Sequence, residues 1–233
     1  MSVLERGRLA QTVGDWTIHE ALAVARRVRD LGGPTFRVNV NLFANQLRKD
    51  ELAMTVKEAL EATGLAPDAL EIEITENTFL QRGESMIRPL RQLRDIGVGI
   101  AFDDYGTGFA SLSLLKRFPL TRLKIDRSFV QNLCTDKEDE AVVRAVAYLA
   151  ESFGLEVTAE GVEREDQRKR LRELGCESAQ GYLFGRPMPQ ERVIEIMKGD
   201  PHDDLARWPR SRANSADQPL EHVLEDLPLA KQA

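Results

Sequence analysis

Two adjacent carboxylates, Asp103 and Asp104, end the apolar run Val98-Gly99-Ile100-Ala101-Phe102, and the loop Tyr105-Gly106-Thr107-Gly108 follows at once. A strand, an acidic pair and a flexible loop in that order can hold a hard cation at the mouth of an α/β fold. Carboxylate oxygens suit Mg²⁺ or Mn²⁺, and glycines let a loop fold back over a ligand. A plain turn after a strand uses the same residue types, so this segment alone leaves both readings open. No serine or cysteine stands in a nucleophile-elbow context. His19 lies in a helical pattern, and His202 and His222 lie near the C-terminus. The chemistry must then come from carboxylates, amides and lysine, which favours a Mg²⁺-type site over zinc.

The elements that must position these groups alternate along the chain. Residues 9–31 have helical periodicity, with Trp16, Ile18, Leu22, Ala25 and Val28 expected on the apolar stripe. Strand-like runs follow at 36–42, 70–76, 98–103, 121–126, 155–160 and 178–184. Helical runs fill the gaps at about 48–63, 84–96, 110–117, 137–153 and 164–174, and a last one covers 189–198. Gly64, Gly97, Gly154 and Gly175 stand where helices should end. This alternation predicts parallel strands joined by helical crossovers. After Gly199 the chain turns rich in Pro, Asp, Arg, Ser and Gln. Residues 1–199 are therefore expected to form the domain. Residues 200–233 are expected to be a disordered tail with at most a brief helix at 219–227.

Strand side chains alternate between two faces. In the run 37–42, Arg37, Asn39 and Asn41 oppose Val38, Val40 and Leu42. In 71–75, Glu71, Glu73 and Thr75 oppose Ile72 and Ile74. In 122–126, Arg122, Lys124 and Asp126 oppose Leu123 and Ile125. In 155–160, Glu156, Thr158 and Glu160 oppose Leu155, Val157 and Ala159. An open sheet sandwiched by helices buries both faces and reads as continuous apolar runs. One polar face on each of these four strands points instead to a (β/α) TIM-like barrel, with its site at the C-terminal strand ends. The late polar residues Asn41, Glu73, Asp103, Lys124, Glu160 and Gln180 should converge in one ring. Charges are costly to bury unless paired or bound to metal.

The length of 233 residues suits one such domain. A net charge of −6 gives no basic surface for DNA, and an anionic substrate would need a metal or local cations. Cys134 and Cys176 lie far apart and fit reduced thiols. Charged residues interrupt every long apolar run, so no membrane span is expected, and the predicted location is cytoplasmic.

Six ordered segments carry a resemblance. They are Val40-Asn41-Leu42, Glu73-Ile74-Thr75-Glu76, Asp103-Asp104-Tyr105-Gly106-Thr107-Gly108, Leu123-Lys124-Ile125-Asp126, Ala159-Glu160-Gly161-Val162-Glu163 and Gln180-Gly181-Tyr182-Leu183-Phe184. Over about residues 3–198 the chain resembles the EAL domain family of cyclic-di-GMP phosphodiesterases. The resemblance implies hydrolysis of cyclic-di-GMP to linear pGpG with Mg²⁺ or Mn²⁺, as two ions. By the same resemblance, Asn41, Glu73, Asp103 and Glu160 look like metal ligands. Asp103 would bridge two ions and Asp104 would serve the second. Lys124 resembles the lysine that positions the attacking water, acting with Asp103 and Glu160 in catalysis. Glu76 looks like the anchor of the loop at 104–110, and Glu163 and Gln180 look like supporting residues.

The family opens with a strand bearing Glu-Ala-Leu, whose glutamate is a metal ligand. This chain starts beyond it, and His19-Glu20-Ala21-Leu22 carries those letters inside a helix. The expectation is a barrel incomplete at its N-terminus. Its open edges would invite a homodimer or a partner chain. Activity would be impaired or absent if the chain truly starts at Met1. The alternative function is a catalytically inactive module that binds cyclic-di-GMP or a protein.

Overall fold

Alternating polar and apolar strands separated by amphipathic helices can bury their apolar sides in only one way, with helices packed along one face of a parallel sheet. The computed structural model has that arrangement. It describes residues 9–32, 36–48, 51–75, 78, 83–106 and 112–198. Helix α1 (Ala10–Asp30) leads into β1 (Val38–Asn41), α2 (Leu52–Thr63) and β2 (Leu70–Thr75). Helix α3 (Ile87–Ile96), β3 (Gly99–Tyr105), α4 (Leu112–Arg117) and β4 (Arg122–Ile125) follow. Then come α5 (Arg127–Gln131), α6 (Lys137–Phe153), β5 (Glu156–Ala159), α7 (Glu165–Glu173), β6 (Ser178–Ala179) and α8 (Gln190–Lys198). The six strands pair in sequence order and all in parallel, so β1 and β6 are the ends of the sheet. The result is an α/β half-barrel. No helix of the described residues is long and apolar enough to cross a membrane.

The apolar parity of each strand forms the core. Val40, Ile72, Ile74, Ile100, Phe102, Leu123, Ile125 and Val157 pack with Ile18, Leu22, Val56, Leu90, Leu93, Val143, Val146 and Leu171 from the helices. The other face is polar and has two layers. The layer nearer the strand N-termini is an ion network. The carboxylate of Glu71, 1% exposed, lies 3.0 Å from Arg122 Nε and 3.0 Å from Arg37 Nη1. Arg122 also donates to Thr158 Oγ1 (2.8 Å) and Ser178 Oγ (2.9 Å) and pairs with Glu156. Gly99 makes room for this layer, since a Cβ there would stand 3.1 Å from Glu71 Oε2.

The chain departs from the sequence reading in several places, among them the short helix α5, which the sequence reading lacked. Trp16 is 60% exposed, whereas Ile18, Leu22, Ala25 and Val28 are fully buried. At 3.6 residues per turn, Trp16 lies about 200° around the helix from both Gly14 and Ile18, which face the core. The strand expected at 178–184 pairs over Ser178–Ala179 alone. Beyond it, Gly181 presses onto Val162, where a Cβ would meet the backbone at 2.2 Å, and the chain turns out of the ladder. The helix expected at 84–96 begins with a 3₁₀ turn over Gly83–Met86. The predicted tail at 200–233, including its 219–227 segment, lies outside the described residues.

Burial on α1 gives a direct test. Ile18→Ala should cost about 2–5 kcal/mol, while Trp16→Ala should stay within about 0.5 kcal/mol of the parent. Urea denaturation of both variants measures the difference. A comparable loss in the two would mean that Trp16 is covered.

Candidate active site

Parallel register sets the upper polar layer. Asn41 pairs with Glu73, and Thr75 pairs with Asp103. Lys124 pairs with Thr158, and the Glu160 amide donates to Ile125 O at 3.0 Å just past β5. These pairings bring residues far apart in sequence to one height at the C-terminal strand ends. The Lys124 ammonium stands at the centre. Its Nζ lies 2.7 Å from Glu73 Oε1, 2.8 Å from Asp103 Oδ1 and 2.5 Å from Glu160 Oε1. Burial pulls the lysine pKa down, but Glu73, Glu160 and Asp103 outweigh it and hold the group above the ordinary lysine range. Lys124 is therefore a fixed cation. Asn39 braces the lower edge, donating through Nδ2 to Glu73 Oε1 (2.9 Å) and Glu71 Oε1 (3.2 Å).

Simple alternation would send Asp103 and Asp104 to opposite faces. The register between β3 and β4 shifts at this point. Phe102 pairs with Leu123 but Tyr105 pairs with Ile125, so β3 carries one extra residue. Asp104 takes φ of 57°, a left-handed conformation that Asp tolerates better than most residues. A bulge of this kind re-aims a side chain. As a result, oxygens of Asp103, Asp104 and Glu160 all lie within 4.8 Å of one another.

The group is under-neutralised. Burial raises the Asp104 carboxyl to about 6, with the Asp103 charge and the contact to Asp126 adding to the effect. Burial likewise raises Glu160, against the pull of Lys124. Asp126 is held down although burial opposes this, because it accepts from Ser128 Oγ (2.5 Å) and Ser128 N (2.9 Å) at the start of α5. Lys124 does not pair with Asp126, its nearest carboxylate in sequence on that face. Three crowded, partly desolvated carboxylates are a hard-oxygen donor set that could hold a divalent cation.

Of the nine residues singled out from the sequence, Glu73, Asp103, Asp104, Lys124 and Glu160 fall in this cluster. Asn41 stands at the end of β1 beside Glu73 and is exposed. Glu163 and Gln180 are exposed on the rim. Gln180 meets the site through its backbone, which donates to Ala159 O at 2.8 Å and accepts from Val162 N at 3.0 Å. Glu76 lies outside the described residues, as do Thr107 and Gly108 of the loop it was expected to anchor. The site contact of Asp126 was missed. Its place in the Arg122-Lys124-Asp126 parity is the signal that could have found it.

Comparison with known proteins identifies the family. The EAL domain model matches residues 1–187. The chain belongs to the EAL domain family. It is 40% identical over 194 residues to the bifunctional diguanylate cyclase/cyclic di-GMP phosphodiesterase MucR of Pseudomonas aeruginosa, covering 83% of this chain and 28% of that protein. The solved PaMucR phosphodiesterase in complex with c-di-GMP is 42% identical, with a TM-score of 0.74 over 79% of this chain and 75% of that one. The Klebsiella pneumoniae BlrP1 manganese/cy-diGMP complex is 31% identical, with a TM-score of 0.66 over 73% of this chain and 44% of that one. The chain spans about a quarter of the length of the first curated relatives it matches and 46% of another, the cyclic di-GMP phosphodiesterase RocR of Pseudomonas aeruginosa.

The EAL cluster predicts a specific titration. A carboxyl whose folded pKa is raised binds its proton more tightly in the folded chain. Its contribution to stability is complete below the ordinary value of 3.8 and is lost as pH rises through about 6. In metal-free protein the Asp104 carboxyl should titrate near pH 6 by ¹³C NMR, well above Asp126. Addition of Mg²⁺ should move that midpoint below pH 4. A midpoint that Mg²⁺ does not move would show that no cation binds beside Asp104.

Proposed function

We propose that this EAL domain is a metal-dependent phosphodiesterase that opens cyclic-di-GMP to linear pGpG. The observation that carries the reading is the charge imbalance at the strand ends. One ammonium, Lys124, touches three carboxylates, with Asp104 and Asp126 beside them. A phosphodiester is an anion, and such a cluster would repel it unless cations are held there. The names of the similar proteins, a cyclic di-GMP phosphodiesterase and c-di-GMP complexes, support cyclic-di-GMP as the diester.

In this reading Asp103, Asp104 and Glu160, with Glu73 and the neutral amide of Asn41, would hold Mg²⁺ or Mn²⁺. Such cations would supply Lewis-acid polarisation of the phosphoryl group and would lower the pKa of bound water. In the metal-free cluster its neighbours keep Lys124 protonated. It acts as a fixed donor, directing its N–H groups at the attacking water or a phosphoryl oxygen. Water adds at phosphorus, the P–O3′ bond breaks, and the departing oxygen takes up a proton. Glu163 and Gln180 belong to the rim that shapes the entrance.

Chromatography of cyclic-di-GMP incubated with the chain and Mg²⁺ or Mn²⁺ should reveal pGpG, and EDTA should abolish it. Asp103→Asn should lower turnover at least about a hundredfold, since the lost cation interaction is worth several kcal/mol in the transition state, while the far-ultraviolet circular dichroism stays unchanged. Tight binding of cyclic-di-GMP without pGpG would instead identify a sensing module. Near-parental turnover of Asp103→Asn would show that the ligand assignment is wrong.

A further inference from the structure

Gln167 is 1% exposed and lies in the first turn of α7, outside the carboxylate cluster. A buried amide is costly unless its partners are supplied, and here all four are. Its Oε1 accepts from the backbone N–H of Glu163 and of Arg164, both at 2.9 Å. Its Nε2 donates to Val130 O at 3.0 Å and Gln131 O at 3.2 Å. The two carbonyls end α5, and the two amides end the loop that starts at Glu160. Gln167 therefore ties the loop after β5 to the helix after β4.

The same two segments also touch at their other end. Gly161 has φ of 69°, and a Cβ there would lie 2.5 Å from Arg127 Cβ. The loop at 160–164 is thus pressed onto α5 at Arg127 and strapped to it at Val130 and Gln131. What the two segments carry gives this strap a role. The loop begins with Glu160. Helix α5 is capped by Asp126, which contacts Asp104. The spacing between Glu160 on one wall and the Asp104–Asp126 pair on the other follows from how the loop sits on α5.

Resting on the metal-site reading above, we infer that Gln167 is a positioning residue that sets the gap between Glu160 and Asp104 and so tunes cation affinity without touching the cation. The bond from Arg164 N–H also closes the capping box of α7, but the helix itself does not need the two bonds to the α5 carbonyls. Leu171, one turn further along α7 and fully buried, already anchors that helix in the core. A strap whose four bonds all go to backbone groups of two site-bearing segments acts on geometry.

The test compares Gln167→Met, which keeps the chain length but removes all four hydrogen bonds, with Leu171→Ala, which removes core packing from the same helix. Isothermal titration with Mn²⁺ and thermal melting are run on the same samples of the full chain. Gln167→Met should weaken Mn²⁺ binding about tenfold, as loss of groups that orient metal ligands does elsewhere. Leu171→Ala should bind within about twofold of the parent although its Tm falls at least as far. Hydrogen exchange at the Glu163 and Arg164 amides should speed up in Gln167→Met alone. If Gln167→Met does not fold, Gln167→Glu serves, since it keeps the acceptor oxygen and loses both donors. Parental Mn²⁺ affinity in the strap variant would overturn the inference and leave the metal site standing. An equal loss in Leu171→Ala would make Gln167 merely structural. No Mn²⁺ binding by the parent chain would overturn the proposed function, and the strap with it.

Discussion

The structure depends on one ammonium placed among three carboxylates. Lys124 is withdrawn from water, which alone would favour the neutral amine. Glu73, Asp103 and Glu160 reverse that preference because all three lie within 2.8 Å of Nζ. The arrangement needs β2, β3, β4 and the end of β5 at a common height, which only the parallel ladder supplies. Breaking a buried ion pair by removing one partner typically costs about 3–5 kcal/mol. Lys124 is therefore as much a tie between four strands as a participant in chemistry.

The two polar layers share a face but differ in how they are balanced. In the lower layer, Arg37 and Arg122 meet Glu71 and Glu156, and Thr158 and Ser178 take the remaining Arg122 donors. Cation and anion numbers match, and the layer serves the fold. In the upper layer the acidic groups outnumber the single cation. Asn39 links the two by donating to both Glu71 and Glu73, which fixes the height of the upper layer over the lower one.

Short-range periodicity made most of this legible. The period-2 split of residues 71–75 and 122–126 put Glu73 and Lys124 on one face and Ile72, Ile74, Leu123 and Ile125 in the core. Helix α6 was readable to its ends at 137 and 153, because Asp136 caps one and Gly154 the other. Features that depend on close approach between distant segments were not readable. Asp104 joins Asp103 only through an extra residue opposite β4, which no alternation pattern encodes. β6 stops at Ala179 because Gly181 must lie against Val162, a contact across two loops. Gln167 looks like an ordinary surface residue in the charged sequence of α7, and only its four backbone partners show otherwise. Trp16 was expected on the apolar stripe of α1, whereas its angular position puts it in solvent.

The difference between the layers also explains why the bulge sits in β3 and not elsewhere. A regular β3 would present Asp103 alone beside Lys124, and the site would hold three carboxylates against one ammonium. The extra residue adds Asp104 to that side and leaves its carboxyl so poorly compensated that it holds a proton up to about pH 6. Within the fold this makes no sense as stabilisation, since a protein can avoid the cost by placing an apolar residue there. It makes sense if the missing charge comes from outside, as a cation that arrives with or before an anionic ligand. On that reading the left-handed backbone at Asp104 and its crowding with Asp103 and Glu160 share one purpose, to present oxygens to a cation.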